Sequence, residues 1–206
     1  MQKPPYIIIK RFIDILAAFL GLLLLLPFLL VISLIIRLKM ERPVLFKQSR
    51  PGLKEKPFTI FKFRTMSGER MSDGTLLPDV QRLTAFGQFL RKTSMDELPE
   101  LWNVLIGDMS LIGPRPLLMK YLPYYTNRER ARFLVRPGIT GLAQVMGRNT
   151  LDWDERLELD VQYIENTSFV LDIKLLVKTV AIILKRENVE LNILEDFDDF
   201  RKSQQS

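Results

Sequence analysis

An uncharged apolar run near the N-terminus constrains this chain more than any other feature. Residues 15–36 contain no charged side chain, and 22 residues in a helix extend about 33 Å, close to the thickness of the hydrocarbon core of a bilayer. The run is too long for the apolar part of a cleaved signal peptide, and no small-residue cleavage site follows it. The sequence therefore predicts a membrane-embedded helix.

The flanks of this run indicate how the helix meets the membrane. Lys10 and Arg11 precede it and Arg37 follows it, so both ends face the cytoplasm by the positive-inside rule. Pro27 lies near the middle, where it removes a backbone donor and kinks a helix. Together these observations predict a re-entrant helix-hairpin with basic flanks over residues 1–40. A straight single-pass anchor with a tolerated proline is the alternative.

The composition limits the chemistry of the rest of the chain. With no His and no Cys in 206 residues, there is no thiol nucleophile, no Ser-His pair and no usual zinc site. The groups that remain available for catalysis are carboxylates, Lys and Arg side chains, hydroxyls and a cation bound by oxygen ligands. The net charge of +6 indicates an anionic partner, which could be nucleic acid, a phosphorylated metabolite or an acidic membrane surface.

We expect an α+β fold, mainly helical, with a cytosolic catalytic domain over residues 41–186. Strand-like segments at 44–49 and 57–65 flank a Pro-Gly turn signal and predict a small β-hairpin. The alternation of the second strand places Lys62 and Arg64 on one face. Two cations on one face can bind phosphate, although a solvated strand face explains them equally well.

The C-terminal part of the chain predicts a helix at the membrane surface. Within 163–186, Lys174, Lys178 and Lys185 form a narrow stripe on an otherwise apolar helix, which is typical of an interfacial amphipathic helix. An ordinary buried helix with one wet edge is the alternative. Residues 187–206 are acidic and are interpreted as a tail.

The segment SMDELPEL at 94–101 combines acidic and turn residues most densely. Pro99 fits the first turn of a helix, which places Asp96 and Glu97 in the positive field of a helix N-terminus. Taken alone, the segment also matches a capping box, or an N-cap at Asp96. The nearby Arg91 favours a phosphate site, because such a site needs fixed cations as well as an acidic group.

Two stiff loops offer further cations. Arg115 lies between two prolines, so its guanidinium is presented from a restricted backbone. The segment RPGITG at 136–141 repeats this arrangement with Arg136, and its glycines permit a close backbone approach. Gln144 and Arg148 follow as polar donors. A structural turn explains either loop alone, but two such loops beside an acidic pair indicate anion binding.

These segments occur in the order and spacing of the bacterial sugar transferase family, and the chain resembles a small monotopic phosphoglycosyl transferase over roughly residues 8–186. The short length resembles the minimal catalytic form, particularly the bacillosaminyl-phosphate transferase of bacterial N-linked protein glycosylation. The matching motifs are KRFID at 10–14, RPG at 50–52, FKFRTM at 61–66, SMDELPEL at 94–101, GDMS at 107–110, GPRP at 113–116 and RPGITG at 136–141.

The resemblance implies a reaction in which a sugar-1-phosphate passes from a UDP-sugar to undecaprenyl phosphate, with release of UMP. This would be the first membrane step of glycoconjugate assembly. The motif match implies the site residues, which are Asp96 as covalent nucleophile beside Mg²⁺, Glu97 as its assistant, Arg91 and Arg115 on the phosphates, and Lys62 and Arg148 lining the site. The carboxylates among these residues offer the oxygen ligands that Mg²⁺ prefers.

The resemblance also implies a hairpin that penetrates one leaflet of the bacterial inner membrane, with the catalytic domain facing the cytoplasm and no nucleic-acid partner. Two positions depart from the family pattern: Leu26 precedes Pro27 where a serine is usual, and Met146 stands where close relatives often have Asn. The sequence does not name the sugar or the glycan pathway, and it does not decide whether a homo-oligomer forms.

A membrane-anchored basic module that only binds nucleic acid or acidic lipid is the alternative from another class. The apolar run and the positive charge would suffice for it. It assigns no role to Asp96, and it predicts an affinity for polyanions that falls with added salt.

Overall fold

A 36-residue helix, α1 (Pro4–Lys39), begins the computed structural model, which describes residues 4–40, 42–147, 151–185 and 196–204. This helix is long and apolar enough to cross a membrane, as the sequence predicts. It continues through Pro27 without interruption. The two separate arms of the predicted hairpin are therefore not resolved in the fold, and the re-entrant path stays a prediction.

The two halves of α1 pack on the same globular domain. In the first half, Ala18 is fully buried against Val104, and in the second half Ile36 is fully buried in a cluster with Phe63. Between them, every residue from 19 to 31 is at least partly exposed. The middle of the helix thus presents apolar side chains outward, whereas both ends are fastened to protein.

A β-hairpin follows α1, as the sequence predicts. Strands β1 (Leu45–Pro51) and β2 (Pro57–Phe63) pair antiparallel, with Gln48 opposite Ile60. Because side chains alternate along each strand, one set lies on the face of the hairpin that borders a large cavity, which is described below. The hairpin residues on this face are Phe46, Gln48, Arg50, Ile60 and Lys62.

Three helices come next, α2 (Asp79–Arg82), α3 (Ala85–Lys92) and α4 (Glu100–Ile106). The buried Asn103 of α4 joins this helix to the edge of β2. Its amide donates to the carbonyl of Thr59 at 2.7 Å, and its side-chain oxygen accepts from the backbone of Phe61 at 3.1 Å. This bond pair holds the start of α4 close to Lys62.

A second, parallel sheet joins β3 (Ser110–Ile112) to β4 (Gly138–Thr140), which the sequence analysis did not foresee. The backbones approach closely, since a Cβ on Gly138 would lie 2.1 Å from the backbone nitrogen of Gly113. Only glycine allows this contact. The pairing places Arg115, just after β3, beside the turn that precedes α4.

The C-terminal half is helical, with α5 (Leu142–Met146), α6 (Trp153–Glu165) and α7 (Phe169–Lys185). The lysines of the predicted stripe on α7 are exposed, and so is most of its apolar surface. The exposed large apolar side chains on α4 and α7 are Trp102, Ile106, Phe169, Val170, Ile173, Leu176, Val177, Val180, Ile183 and Leu184. This exposure matches an interfacial helix better than a buried one.

One buried carboxylate connects α1 to α7. Asp172 accepts from Lys10 at 2.6 Å, from the hydroxyl of Tyr163 at 2.8 Å, and from the hydroxyl of Tyr6. Asp14 of α1 adds a second link by accepting from the backbone of Leu111 at 3.0 Å. The N-terminal part of α1 is thereby held by polar contacts with α7 and β3.

The interpretation of 187–206 as a tail missed a packed element. Residues 186–195 lie outside the described part of the chain, but α8 (Phe197–Ser203) is a helix whose Phe197 is completely buried. The ring packs among Tyr121, Tyr125 and Trp153. Burial of one aromatic side chain in a distant cluster explains why an acidic segment without a periodic pattern is ordered here.

Candidate active site

A cavity of about 950 Å³ opens between the β-hairpin, the turn before α4 and helices α6 and α7. Its size suits a substrate larger than a simple metabolite. The predicted site residues that line it are Lys62, Arg64, Arg91, Asp96, Glu97, Arg115 and Gln144. The structure therefore brings most of the residues chosen from the sequence into one place.

Asp96 and Glu97 lie on a single 3-10 turn, Met95–Glu97, which precedes α4. Ser94 before the turn has a φ of 55°, and its side chain makes no capping hydrogen bond. The capping box considered from the sequence is therefore absent, and Asp96 is not an N-cap. Both carboxylates are instead available to the cavity.

Glu97 is clamped by two cations. The Nζ of Lys62 and the Nη2 of Arg115 each lie 2.6 Å from its Oε1. Burial opposes the charge of this carboxyl, but the Arg115 guanidinium and the Lys62 ammonium outweigh burial and hold its pKa well below its usual range. Glu97 is thus a permanent anion whose main contacts are with neighbouring side chains.

Asp96 lies in a different environment although it is the adjacent residue. It is only 9% exposed, and within the described part of the chain its carboxylate has no hydrogen-bonding or ion-pair partner. Burial, together with the negative charge of Glu97, raises its pKa to about 6. Neighbouring carboxylates with divergent pKa values are typical of sites where the two groups have different roles.

A third carboxylate, Glu100, escaped the sequence analysis. It is 1% exposed, and its Oε1 lies 3.1 Å from the Nζ of Lys62. Burial raises its pKa, and the negative charge of Glu97 adds to the effect. The ammonium of Lys62 is therefore held between two acidic side chains. The clue in the sequence was its place one helical turn after Asp96 and Glu97.

The remaining predicted cations fall into three groups. Arg64 and Arg91 line the cavity, and the Nε of Arg91 donates to Thr65 at 3.1 Å. Arg148 lies outside the described residues. Arg136 is not among the residues that line the cavity, and its Nε donates to the carbonyl of Gly107 at 2.8 Å, at the C-terminal end of α4, so the structure does not bring it together with the other predicted residues.

Four further arginines that line the cavity were not predicted, namely Arg50, Arg82, Arg132 and Arg156. Arg50 belongs to the RPG segment of β1, where strand alternation with Gln48 could have shown that it faces the cavity. Arg156 arrives from α6, and no local pattern marks it, because its position depends on how that helix packs.

The carboxylate of Asp96 fits a divalent cation. It is a buried oxygen donor without a protein partner among the described residues, at the edge of a cavity lined by arginines. Mg²⁺ binds in this manner through one or two carboxylates together with substrate phosphates. Glu97 is less suited, since Lys62 and Arg115 already occupy its Oε1.

Comparison with known proteins identifies the family of this chain. The profile of the family described as bacterial sugar transferase matches residues 5–186. An uncharacterized sugar transferase, EpsL, of Bacillus subtilis is 53% identical over 183 residues, which cover 89% of this chain and 91% of that protein.

Two other relatives carry more specific names. A UDP-glucose:undecaprenyl-phosphate glucose-1-phosphate transferase of Caulobacter vibrioides is 42% identical over 87% of this chain and 71% of its own length. The galactosyl transferase CpsE of Streptococcus agalactiae is 39% identical, over 88% of this chain but only 43% of its own length. The finer likeness to a bacillosaminyl-phosphate transferase stays a prediction. The chain is a membrane-associated enzyme that belongs to the bacterial sugar transferase family.

Proposed function

We propose that this protein transfers a sugar-1-phosphate from a UDP-sugar to undecaprenyl phosphate and releases UMP. The observation that carries the proposal is the pair of unlike carboxylates in a cationic cavity: Asp96 has no partner among the described residues, whereas Lys62 and Arg115 clamp Glu97. Such a cavity accepts a diphosphate and places a carboxylate beside it.

The names of relatives support the same general reaction. Relatives from Caulobacter vibrioides and Klebsiella pneumoniae are both named as UDP-glucose:undecaprenyl-phosphate glucose-1-phosphate transferases. A relative from Aeromonas hydrophila is named for N-acetylgalactosamine and the same lipid. Because these names share the lipid and the diphosphate donor but differ in the sugar, we extend only the shared part to this chain.

In the mechanism that we propose, a carboxylate oxygen of Asp96 attacks the phosphorus that bears the sugar. A bond forms between Asp96 and phosphorus, and the bond to the bridging oxygen breaks, with its electron pair leaving on UMP. A phosphate oxygen of the lipid then attacks the same phosphorus and releases the carboxylate of Asp96. Both steps exchange one P–O bond for another, so no external oxidant or proton source is required.

The other side chains of the site prepare Asp96 and its substrate. Glu97 keeps the cations of Lys62 and Arg115 at the cavity, where they stabilise charge on the phosphoryl oxygens. A divalent cation bound by Asp96 would neutralise part of the charge of the diphosphate. The low exposure of Asp96 limits the access of water, which would otherwise hydrolyse the acyl-phosphate.

The contacts of α1 support the re-entrant topology. Lys10 near one end and Ile36 near the other both contact the same domain, whereas the apolar segment between them is exposed. A helix that crossed the bilayer completely would carry one of these ends to the opposite side. We infer that α1 enters one leaflet and returns, with the cavity on the cytoplasmic face of the inner membrane.

Purified protein in detergent tests this proposal. A panel of UDP-sugars is incubated with undecaprenyl phosphate and Mg²⁺, and UMP release is measured. We expect release with at least one donor, dependent on the lipid for turnover, and none with Asp96→Asn. Folded protein that releases UMP from no donor would overturn the proposed reaction, and full turnover in excess EDTA would exclude the divalent cation.

A further inference from the structure

Arg132 is a buried arginine that contacts the loop carrying Arg115. It lies on the 3-10 helix Glu129–Leu134 and is only 4% exposed. Its Nη2 donates to the backbone carbonyl of Arg115 at 2.6 Å. The same nitrogen lies 3.0 Å from the Oδ2 of Asp160 on α6. One guanidinium therefore joins the loop after β3 to α6.

The sequence around Arg115 limits how its loop can be held. Both neighbours of this residue are prolines, which have no N–H and donate no backbone hydrogen bond. The carbonyl of Pro114 accepts from the backbone of Gly138 at 2.9 Å, which fixes the loop just before Arg115. Arg132 then fixes the carbonyl of Arg115 itself. The loop is thus held at the residue whose guanidinium enters the cavity.

The remaining contacts of Arg132 fix its own orientation. Its Nη1 donates to the hydroxyl of Tyr125 at 2.9 Å, and the guanidinium carbon lies 5.3 Å from the centre of that ring. Burial raises the pKa of Asp160 to about 6, so its carboxylate is charged at neutral pH and pairs with Arg132. Both terminal nitrogens of Arg132 are therefore engaged by protein atoms, although the residue borders the cavity.

The energetics of a buried ion pair favour a role in geometry. Removing two charges from water often costs as much as their attraction returns, and apolar side chains of similar volume frequently stabilise a fold as well. An apolar pair in place of Arg132 and Asp160 would not donate to the carbonyl of Arg115. What this ion pair contributes beyond packing is therefore the position of the loop.

We propose that Arg132, anchored by Asp160, is a positioning residue that sets the place of the Arg115 guanidinium. The inference rests on the proposed function, in which Arg115 stabilises charge on the phosphoryl oxygens as UMP leaves. Arg132 holds the backbone of Arg115, whose Nη2 contacts Glu97 at 2.6 Å. A loop displaced by about 1 Å should therefore lower the rate about 100-fold, because contacts in the transition state depend steeply on position.

The kinetics of Arg132→Gln in detergent test this role. We expect the rate of UMP release in a single turnover to fall about 100-fold, while the donor concentration for half the maximal rate changes less than about threefold. In an Arg115→Gln background, the same substitution should lower the rate less than about threefold further, because Arg132 acts through Arg115. Equal losses in both backgrounds would overturn the inference, since a direct contact with the donor or a general loss of structure would lower both rates.

Arg130→Gln is a matched control on the same 3-10 helix. Arg130 pairs with Glu55 and donates to the carbonyl of Leu122 at 2.9 Å, and it is not among the residues that line the cavity. This variant therefore loses the same kinds of contact as Arg132→Gln. It should lower Tm but release UMP at the parental rate.

Two further variants separate position from stability. Arg132→Lys keeps a cation opposite Asp160 without the fork, so Tm should recover in part while the rate stays low. A rate that recovers together with Tm would show that the contact is structural only. Should Arg132→Gln not fold, Arg132→Gln combined with Asp160→Asn leaves no unpaired buried charge and should fold with the same loss of rate.

Hydrogen exchange gives a measurement that does not depend on activity. A peptide covering 113–118 should exchange faster in Arg132→Gln than in the parent, relative to peptides of the β-hairpin, whereas Arg130→Gln should leave it unchanged. Unchanged exchange of this loop in Arg132→Gln would overturn the inference while the reaction stands. A parent that releases UMP from no donor would contradict the proposed function, and the exchange of the loop would then decide whether Arg132 fixes it.

Discussion

The Nζ of Lys62 lies 2.6 Å from the Oε1 of Glu97, and this ion pair connects the β-hairpin to the turn that carries Asp96. The same ammonium lies 3.1 Å from Glu100, so one cation of the hairpin faces two carboxylates, one on the 3-10 turn and one at the start of α4. The ionisation of Asp96 therefore depends on side chains that approach from a separate part of the chain.

We predict that the reaction slows as the pH falls through about 6. The pKa of Asp96 is raised to about 6, mainly by burial and then by Glu97, so protonation removes its nucleophilic form in this range. The value of kcat/KM for the donor should fall about tenfold per pH unit below that point. A rate that stays constant down to pH 5 would contradict the assignment of this loss of activity at low pH to Asp96.

Two variants should shift the pH below which the rate falls, in opposite directions. Glu97→Gln removes a neighbouring negative charge and lowers the pKa of Asp96, whereas Lys62→Met removes a stabilising cation and raises it. Because both variants will turn over slowly, the pH dependence is best measured on the rate of UMP release in a single turnover. Lys56→Gln, which changes an exposed residue in the hairpin turn, should leave the pH dependence of the rate unchanged.

We predict that Asp96→Asn abolishes the covalent phosphosugar adduct without destabilising the fold. Asp96 caps no helix, and its raised pKa means that its charge, although present at neutral pH, destabilises the folded protein relative to the unfolded chain. A neutral side chain of the same shape should therefore leave Tm unchanged or higher.

Mass spectrometry of the protein with donor alone measures the adduct, and thermal unfolding at pH 7 measures stability. The parent should gain one phosphosugar on a peptide that contains Asp96. A stable variant that turns over near the parent rate would favour direct attack by the lipid phosphate. A Tm lowered by several degrees would show that Asp96 has a structural partner.

We predict that Asn103→Ala impairs both stability and activity. The side chain is fully buried and makes two hydrogen bonds to the backbone of β2, so its removal leaves a buried donor and acceptor unpaired at a cost of about 2–4 kcal/mol. The turn with Asp96 should then shift relative to Lys62. Urea unfolding and steady-state kinetics measure the two effects, with the exposed Asn166→Ala as control; a variant with parental activity would contradict the positioning role.

We predict that both ends of α1 face the cytoplasm. The chain contains no Cys, so a single cysteine introduced at Pro5 or at Glu55 is unique and can be labelled in intact cells. Neither position should react with an impermeant reagent from the periplasm. Reaction at the Pro5 position alone would indicate a spanning helix. Pro27→Leu removes the proline that disfavours a straight helix. In this variant, some molecules should cross the membrane and become labelled at the cysteine introduced at Pro5.

Local patterns in the sequence were sufficient for the long apolar helix α1 and for the β-hairpin, whereas the helix start expected at Asp96 is a 3-10 turn and α4 begins only at Glu100. The helix and the hairpin each depend on contiguous residues, such as the uncharged run of 15–36 or the alternation around Lys62. Ordered motifs also brought Asp96 and Arg115 together, although these residues lie in separate elements. The two residues could be assigned to one site only because a family pattern links them, since their separation along the chain does not give their distance in space.

Long-range contacts account for what the sequence analysis missed. The strands β3 and β4 are three residues each and pair over a long loop, so neither has a pattern of its own. Phe197 is buried by a distant aromatic cluster, which its acidic neighbours do not reveal. Arg136 lies outside the cavity lining because its Nε donates to the carbonyl of Gly107 at the end of α4, a contact between distant segments that its motif does not reveal.

The buried carboxylate of Asp172 has a consequence for how the enzyme rests in the bilayer. Because this one group of α7 accepts hydrogen bonds from Lys10 of α1 and from the hydroxyl of Tyr163, α1 and α7 cannot change depth in a membrane independently of each other. In the membrane placement that we propose, the height of the cavity above the acyl chains is therefore set within the protein. A thicker or thinner membrane would raise or lower the whole body while the distance between its two immersed helices stays constant.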